Sequence, residues 1–395
     1  MQTVSDKVFE TEGGSVGKPT INLWDGRYDM LDGWRGLAAL AVVVQHVFRV
    51  RIGHTAVMLF FVISGYCITA SATSCLKRGY GFRQFMWRRI RRIYPPYLLA
   101  VGYFVVTRLI KFAVTGSNPL NYPAEMWLQN VTLTQWFTLL HTQYAYAADN
   151  PANFVTAFWS LQYEEQFYLL IALMMLATFL FRKSILQIAF PLIVLAVGWN
   201  ILFPVYSHGI FVEYWPHFGI GLLIFYRLCR VKSLIARRTF DISLGVLALG
   251  AAWYAWVVET NWYTKRPLAM ELVTVAAFGL VIVYLRPFNE RFRTAVAGKL
   301  LMKLGAISYS LYLIHLCNVR FVSEITSRLL PASWVWPSMF AQVGLHIMLA
   351  IPFYLLCERP FLNKSLVRSS RQRELDSATG VYVERMGAPI GEVVP

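Results

Sequence analysis

The amino-acid sequence predicts an all-α fold: a polytopic transmembrane helix bundle of about ten spans, both termini cytoplasmic. Three observations carry this reading. Of 395 residues, 57% are hydrophobic and only 15% charged, and the mean hydropathy is +0.48, unlike an ordinary soluble domain. Apolar runs long enough to cross a bilayer recur along most of the chain. Lysine and arginine gather in alternate loops, as cytoplasmic connections do.

The chain divides into a polar leader (1–30), a membrane domain (31–361) and a polar tail (362–395). The leader lacks the apolar core of a signal peptide, so the first span is expected to direct its own insertion. Spans are expected near 31–49, 55–73, 93–114, 158–181, 184–204, 209–228, 239–257, 268–285, 304–326 and 334–357. Lys77, Arg78, Arg83, Arg88, Arg89, Arg91 and Arg92 lie between the second and third spans. Arg227, Arg230, Lys232, Arg237 and Arg238 follow the sixth, and Arg286, Arg291, Arg293, Lys299 and Lys303 follow the eighth. No Lys or Arg occurs from Phe112 through Phe181. The pairs Arg49/Arg51 and Lys265/Arg266 run against the trend. The net charge of +16 therefore reads as topology and anionic-lipid contact rather than nucleic-acid binding. Cys67, Cys75, Cys229, Cys317 and Cys357 have neither metal-site nor disulfide spacing and read as buried packing residues.

Three constellations could carry chemistry. In Leu31–Phe48, ten residues separate Arg35 from His46. That eleven-residue step is about 16 Å along a helix and three turns plus about 20°, so both side chains share a face. The bland alternative is a snorkelling arginine and a satisfied buried histidine. Ionisable groups inside a membrane nevertheless mark functional sites by default, and a neutral imidazole can take a proton from a hydroxyl. In Trp159–Tyr168, WSLQYEEQFY, Glu164 and Glu165 point about 100° apart. With the fourth span running inward, both are expected at the depth of His46, where a carboxylate would orient its imidazole. The bland reading is a water-facing glutamate pair. In Trp87–Tyr97, WRRIRRIYPPY, a short arginine helix is expected to end at Pro95-Pro96, with Arg89 and Arg92 on one face and able to grip phosphates. Lipid headgroups and topology explain part of that charge.

Ser308–His315, SYSLYLIH, places Tyr309, Tyr312 and His315 at helical spacing, either as a second polar lining or as packing. Ser160 and Tyr163 belong with Glu164 as channel candidates. The segment Thr115–Ala157 is expected on the outer side, with an amphipathic stretch at Met126–Leu140 suited to the interface. His54, His141, His208, His217 and His346 show no usable spacing. No Gly-rich phosphate loop, HExxH or GxSxG occurs, and no metal site is expected.

Taken in order, LDGWRGLAALAVVVQH, FFVISGY at Phe60–Tyr66, RRIRRIYPPY, WSLQYEEQFY, SYSLYLIH and ERPF at Glu358–Phe361 resemble the membrane acyltransferase family 3. The resemblance covers roughly Asp32 to Phe361. It implies transfer of an acyl group from cytoplasmic acyl-CoA to a hydroxyl, usually of a sugar at or beyond the outer face of the plasma (cell inner) membrane. It makes His46 the family's essential histidine and Arg35 its arginine. Arg89 and Arg92 become the CoA-side pair, with Arg88 beside them, and Glu164 the WSLxxE glutamate, which favours Glu164 over Glu165. Acyl-CoA, acetyl by default with succinyl as the alternative, is the expected donor substrate, and no cofactor is expected to stay bound. The other expected partners are a glycan or glycolipid acceptor and the lipid bilayer. The stretch after Phe361 is too short for the esterase-like domain of some members. Two readings stay beside this one: a lipid or sugar transporter or flippase using the same polar channel, and an acyltransferase for a small natural product.

Overall fold

The computed structural model describes residues 28–116, 120–142, 147–203, 209–257 and 268–362. Most of the expected leader and almost all of the tail lie outside these residues, as do His208, Lys265 and Arg266. Among the described residues the fold is all-helical. The α-helices are α1 Met30–Phe48, α2 Gly53–Lys77, α3 Phe82–Thr115, α4 Ala124–Thr132, α5 Trp136–His141, α6 Trp159–Phe181, α7 Ile185–Leu202, α8 Trp215–Cys229, α9 Leu234–Val257, α10 Leu268–Leu285, α11 Asn289–Thr294, α12 Val296–Ala306, α13 Ser308–Leu329 and α14 Val335–Phe353.

Each of the ten expected spans holds a helix, but among the described residues six helices are long and apolar enough to cross a membrane, or seven if the bent pair α12–α13 counts as one. Helices α1, α8 and α9 are not among them. Asp32 and Arg35 interrupt α1, and α9 opens with Arg237, Arg238 and Asp241. Helix α8, with 15 residues, spans about 22 Å against a hydrocarbon core of about 30 Å. The ninth expected span is itself corrected, because a 63° bend separates α12 from α13.

Local chemistry sets the helix ends. Ser184 and Gln187 form a capping box at the start of α7. Arg49, Leu133 and Arg182 take left-handed φ values of 57°, 57° and 52° and stop α1, α4 and α6. Leu133 thereby breaks the expected amphipathic stretch into α4 and α5. The arginine helix does not end at Pro95-Pro96: α3 runs through both for 34 residues. Proline withholds the amide that would bond one turn back. Pro95 and Pro96 so free the Arg91 and Arg92 carbonyls, and α13 packs beside that turn, its Tyr309 hydroxyl donating to the neighbouring Ile93 carbonyl at 3.1 Å.

Close helix approach organises the core. A Cβ on Gly65 of α2 would lie 2.0 Å from the Phe218 carbonyl oxygen, and one on Gly221 of α8 would lie 1.9 Å from that of Val62. The two glycines bring the helix backbones together where any side chain would collide. Arg227 of α8 grips Asp241 of α9 with two bonds, of 2.9 and 2.6 Å. After α14 a π-helical turn, Tyr354–Glu358, rotates Glu358 into the interior. Its carboxylate accepts from the Ser310 amide (3.2 Å) and hydroxyl (2.5 Å), satisfying an otherwise orphaned amide at the start of α13.

Gly221→Val is expected to lower the melting temperature of the detergent-solubilised protein, since overpacking costs roughly 1–3 kcal/mol or more. Gly102→Ala, where an added Cβ meets nothing within 4 Å, is expected to be neutral or stabilising in the same melt. Equal melting of both variants would refute the close-approach account.

Candidate active site

The polar groups fall into two regions along α1. The first is a cavity of about 560 Å³ at the α1–α2 end of the bundle. Gln45 and His46 of α1, His54 and Val57 of α2, Trp159 of α6, Tyr214, and Tyr312 and Leu316 of α13 line it, with Ala147–Asp149 and Thr156–Ala157 closing one side. His46 is half-buried. Its ring centroid lies 5.2 Å from that of His315. Tyr312 donates to the Ala157 carbonyl at 2.7 Å and lies 2.7 Å from the Ser160 hydroxyl, tying α13 to the start of α6.

The second region is a polar chamber deeper in the bundle. Glu164 accepts from Ser64 at 3.2 Å and Tyr168 at 2.6 Å. The Arg89 guanidinium lies over the rings of Tyr168 (5.6 Å) and Phe85 (5.5 Å). Arg35 is within electrostatic reach of Asp32, Glu164 and Glu358, and Glu358 is within reach of Arg92 and Arg35. Arg89 and Arg92 feel each other's charge. The chamber thus joins Arg35, Arg89 and Arg92 to Glu164 and Glu358.

This arrangement corrects one expected contact. Among the described residues no hydrogen bond joins His46 to Glu164. Trp159 stacks with His54 at the cavity, its ring centroid 6.1 Å away and its plane 12° off. Glu164, five residues on, lies about 7.5 Å deeper along α6 and meets Ser64 instead of the imidazole. Arg88 also departs from its neighbours: its guanidinium lies 5.0 Å over Tyr80 and one nitrogen is 3.8 Å from the Cys75 sulfur. Tyr163 is fully buried and donates to Glu213, away from the cavity. Tyr309 packs at α3 beside the chamber, and Glu165, half-buried, accepts from Tyr94.

The sequence reading passed over a second cluster. Glu271 of α10, 5% exposed, has one carboxylate oxygen 2.7 Å from Nε2 of His54 and the other 3.1 Å from Nε2 of His217. The carboxylate-held imidazole of the cavity is therefore His54. The signal lay in Glu271 itself, the lone acid in the apolar run Leu268–Leu285, since such a group needs a partner. Among the described residues no group of three or more His, Cys, Asp or Glu side chains is placed to hold a metal ion.

Residues 28–357 match the model of the acyltransferase-domain family Acyl_transf_3, so the chain belongs to that family. It is similar to the O-acetyltransferase OatA of Staphylococcus aureus (strain NCTC 8325 / PS 47), 23% identical over 74% of this chain and 51% of that protein. It is also similar to the "Putative peptidoglycan O-acetyltransferase YrhL" of Bacillus subtilis (strain 168), 30% identical over 40% of this chain and 25% of that one. The chain spans about half the length of the OatA protein it matches. No solved structure matches it.

Glu271→Ala is expected to lower stability by about 1–3 kcal/mol, because two imidazoles lose their shared acceptor. Glu271→Gln, which keeps an acceptor oxygen, is expected to lose less. Thermal melts of both in detergent check this, and an unshifted Glu271→Ala would remove the cluster's structural role.

Proposed function

We propose that this membrane protein is an O-acyltransferase that moves an acyl group from cytoplasmic acyl-CoA to a hydroxyl of an extracytoplasmic glycan or glycolipid. Acetyl is the first choice of acyl group, as the names of OatA and YrhL suggest, with succinyl as the alternative. The loop charges favour both termini in the cytoplasm of a plasma (cell inner) membrane protein. The cavity at the α1–α2 end then faces outward and the arginine chamber lies on the cytoplasmic side of it.

The observation that carries the reading is the placement of His46 in a cavity, with Arg35 one shared face and about 16 Å below. In the chamber three guanidinium groups meet the carboxylates of Glu164 and Glu358, with Asp32 beside Arg35. Arginine forks suit phosphate. Arg89 and Arg92 hold the phosphate end of acyl-CoA in this scheme, with Arg88 nearer the surface. Glu164, bonded to Ser64 and Tyr168, keeps Arg35 and Arg89 in place rather than orienting His46. The pantetheine arm passes Arg35 and brings the thioester up to His46.

The glycan hydroxyl reaches the cavity from outside, between Trp159, Tyr312 and the Ala147–Ala157 segment. His46 takes its proton, the oxygen attacks the thioester carbonyl, a C–O bond forms and the C–S bond breaks. The imidazolium returns the proton to the departing CoA thiolate. A general base of this kind contributes about 10²–10⁴-fold.

His46→Ala is expected to abolish transfer and CoA release while leaving binding of a non-hydrolysable acyl-CoA analogue intact. Full transfer in that variant would end the proposal, and acceptor-independent solute movement with no acyl-CoA consumed would turn it toward a transporter. Arg89→Ala combined with Arg92→Ala is expected to weaken analogue binding at least about tenfold by titration. Unchanged affinity would return both arginines to a topological role.

A further inference from the structure

His46 has no carboxylate to orient it, yet two other imidazoles surround it. His315 of α13 is 1% exposed, and its Nδ1 lies 2.7 Å from the Tyr312 carbonyl oxygen. That oxygen can only accept, so Nδ1 carries the ring proton and Nε2 is a bare acceptor. Nε2 is buried and has no hydrogen-bond partner among the described residues. An unsatisfied acceptor in that setting is costly and calls for a donor. The donor-bearing ring next to it is His46, its centroid 5.2 Å away and its plane tilted by 42°. A small side-chain rotation closes such a pair to an N–H···N bond of roughly 3 Å. His346 of α14, with a buried Nδ1 also lacking a partner, is within electrostatic reach of both.

We propose that His315 is the positioning residue of His46: its bare Nε2 accepts the His46 ring N–H, fixing the tautomer that leaves the other His46 nitrogen bare toward the cavity. The proposal rests on the acyltransferase reading of His46. It assigns to a neutral imidazole, itself locked by a backbone carbonyl, the part expected of Glu164. The geometry follows from α13, where Tyr312 and His315 are one turn apart, so one residue faces Ser160 and the cavity while its carbonyl holds the ring of the other.

Two amide variants separate the nitrogens of His315. In His315→Gln the side-chain amide reaches the Nε2 position and keeps an acceptor there. In His315→Asn it reaches only the Nδ1 position. With purified protein, acetyl-CoA and an oligosaccharide acceptor, His315→Asn is expected to lose kcat on the order of tenfold to a hundredfold. KM for acetyl-CoA stays unchanged, and His315→Gln stays close to wild type. Equal losses in the two variants, or full kcat in His315→Asn, overturn the assignment. Loss in a matched His346 variant with His315→Asn silent also overturns it, by moving the role to α14. If His315→Asn does not extract as a monodisperse protein, His315→Gln decides alone: wild-type kcat supports the bond and a hundredfold loss refutes it. His46→Ala run in parallel keeps the readings apart. An active His46→Ala removes the acyltransferase reading, whereas an inactive one beside a fully active His315→Asn removes only this proposal.

Discussion

A charged side chain inside a bilayer must be answered by another polar group or by a water-filled space, because hydrocarbon offers neither. Much of this bundle's interior follows from that demand. Arg35 of α1, Arg89 and Arg92 of α3, Glu164 of α6 and Glu358 of the turn after α14 meet in one chamber. Four elements far apart in the chain are thus held to common positions by charge as well as packing. The π-helical turn makes sense in the same terms. It brings the Glu358 carboxylate to the start of α13, where it satisfies an orphaned amide and the Ser310 hydroxyl.

Charge placement along α1 also separates two tasks. A guanidinium-rich chamber favours a polyanion and would hold an imidazole poorly as a base. The cavity around His46 is lined by imidazole, aromatic, amide and aliphatic groups, with Arg51 and Asp149 among them. A single helix carries both regions on one face because eleven residues make three turns and little more. In the proposed scheme the distance between anion capture and proton transfer is set by the spacing of Arg35 and His46.

What one helix encodes was legible before any coordinates. The same-face placement of Arg35 and His46, the helical spacing of Tyr309, Tyr312 and His315, and the apolar spans all follow from helix periodicity. What two helices encode together was not. Whether Glu164 meets His46 depends on the depth of α6 against α1, and five residues of rise carried it past the imidazole to Ser64. Tyr163 shares its helix with Glu164, yet Glu213 holds it elsewhere. Pro95-Pro96 read as a stop because proline breaks an isolated helix, whereas packing against α13 carries α3 through. Span counting met a similar limit, since α8 is helical but short and a bend divides α12 from α13. Glu271 was legible in principle as a lone acid in an apolar run, but its partners on α2 and α8 were not.

The partner of an imidazole decides how tightly it keeps a proton. His54 has the Glu271 carboxylate 2.7 Å from its Nε2. His46 faces His315, whose buried ring is neutral when its Nε2 is bare. Protonating His46 beside a neutral imidazole gains orientation without gaining an ion pair, and a second positive charge nearby is disfavoured. Under the proposed reading, such a base takes the proton only for the moment of attack. Acyl transfer from a thioester needs both halves of that behaviour, because the proton removed from the attacking oxygen is the one the departing sulfur must receive. A carboxylate beside His46 would have strengthened the first half at the expense of the second.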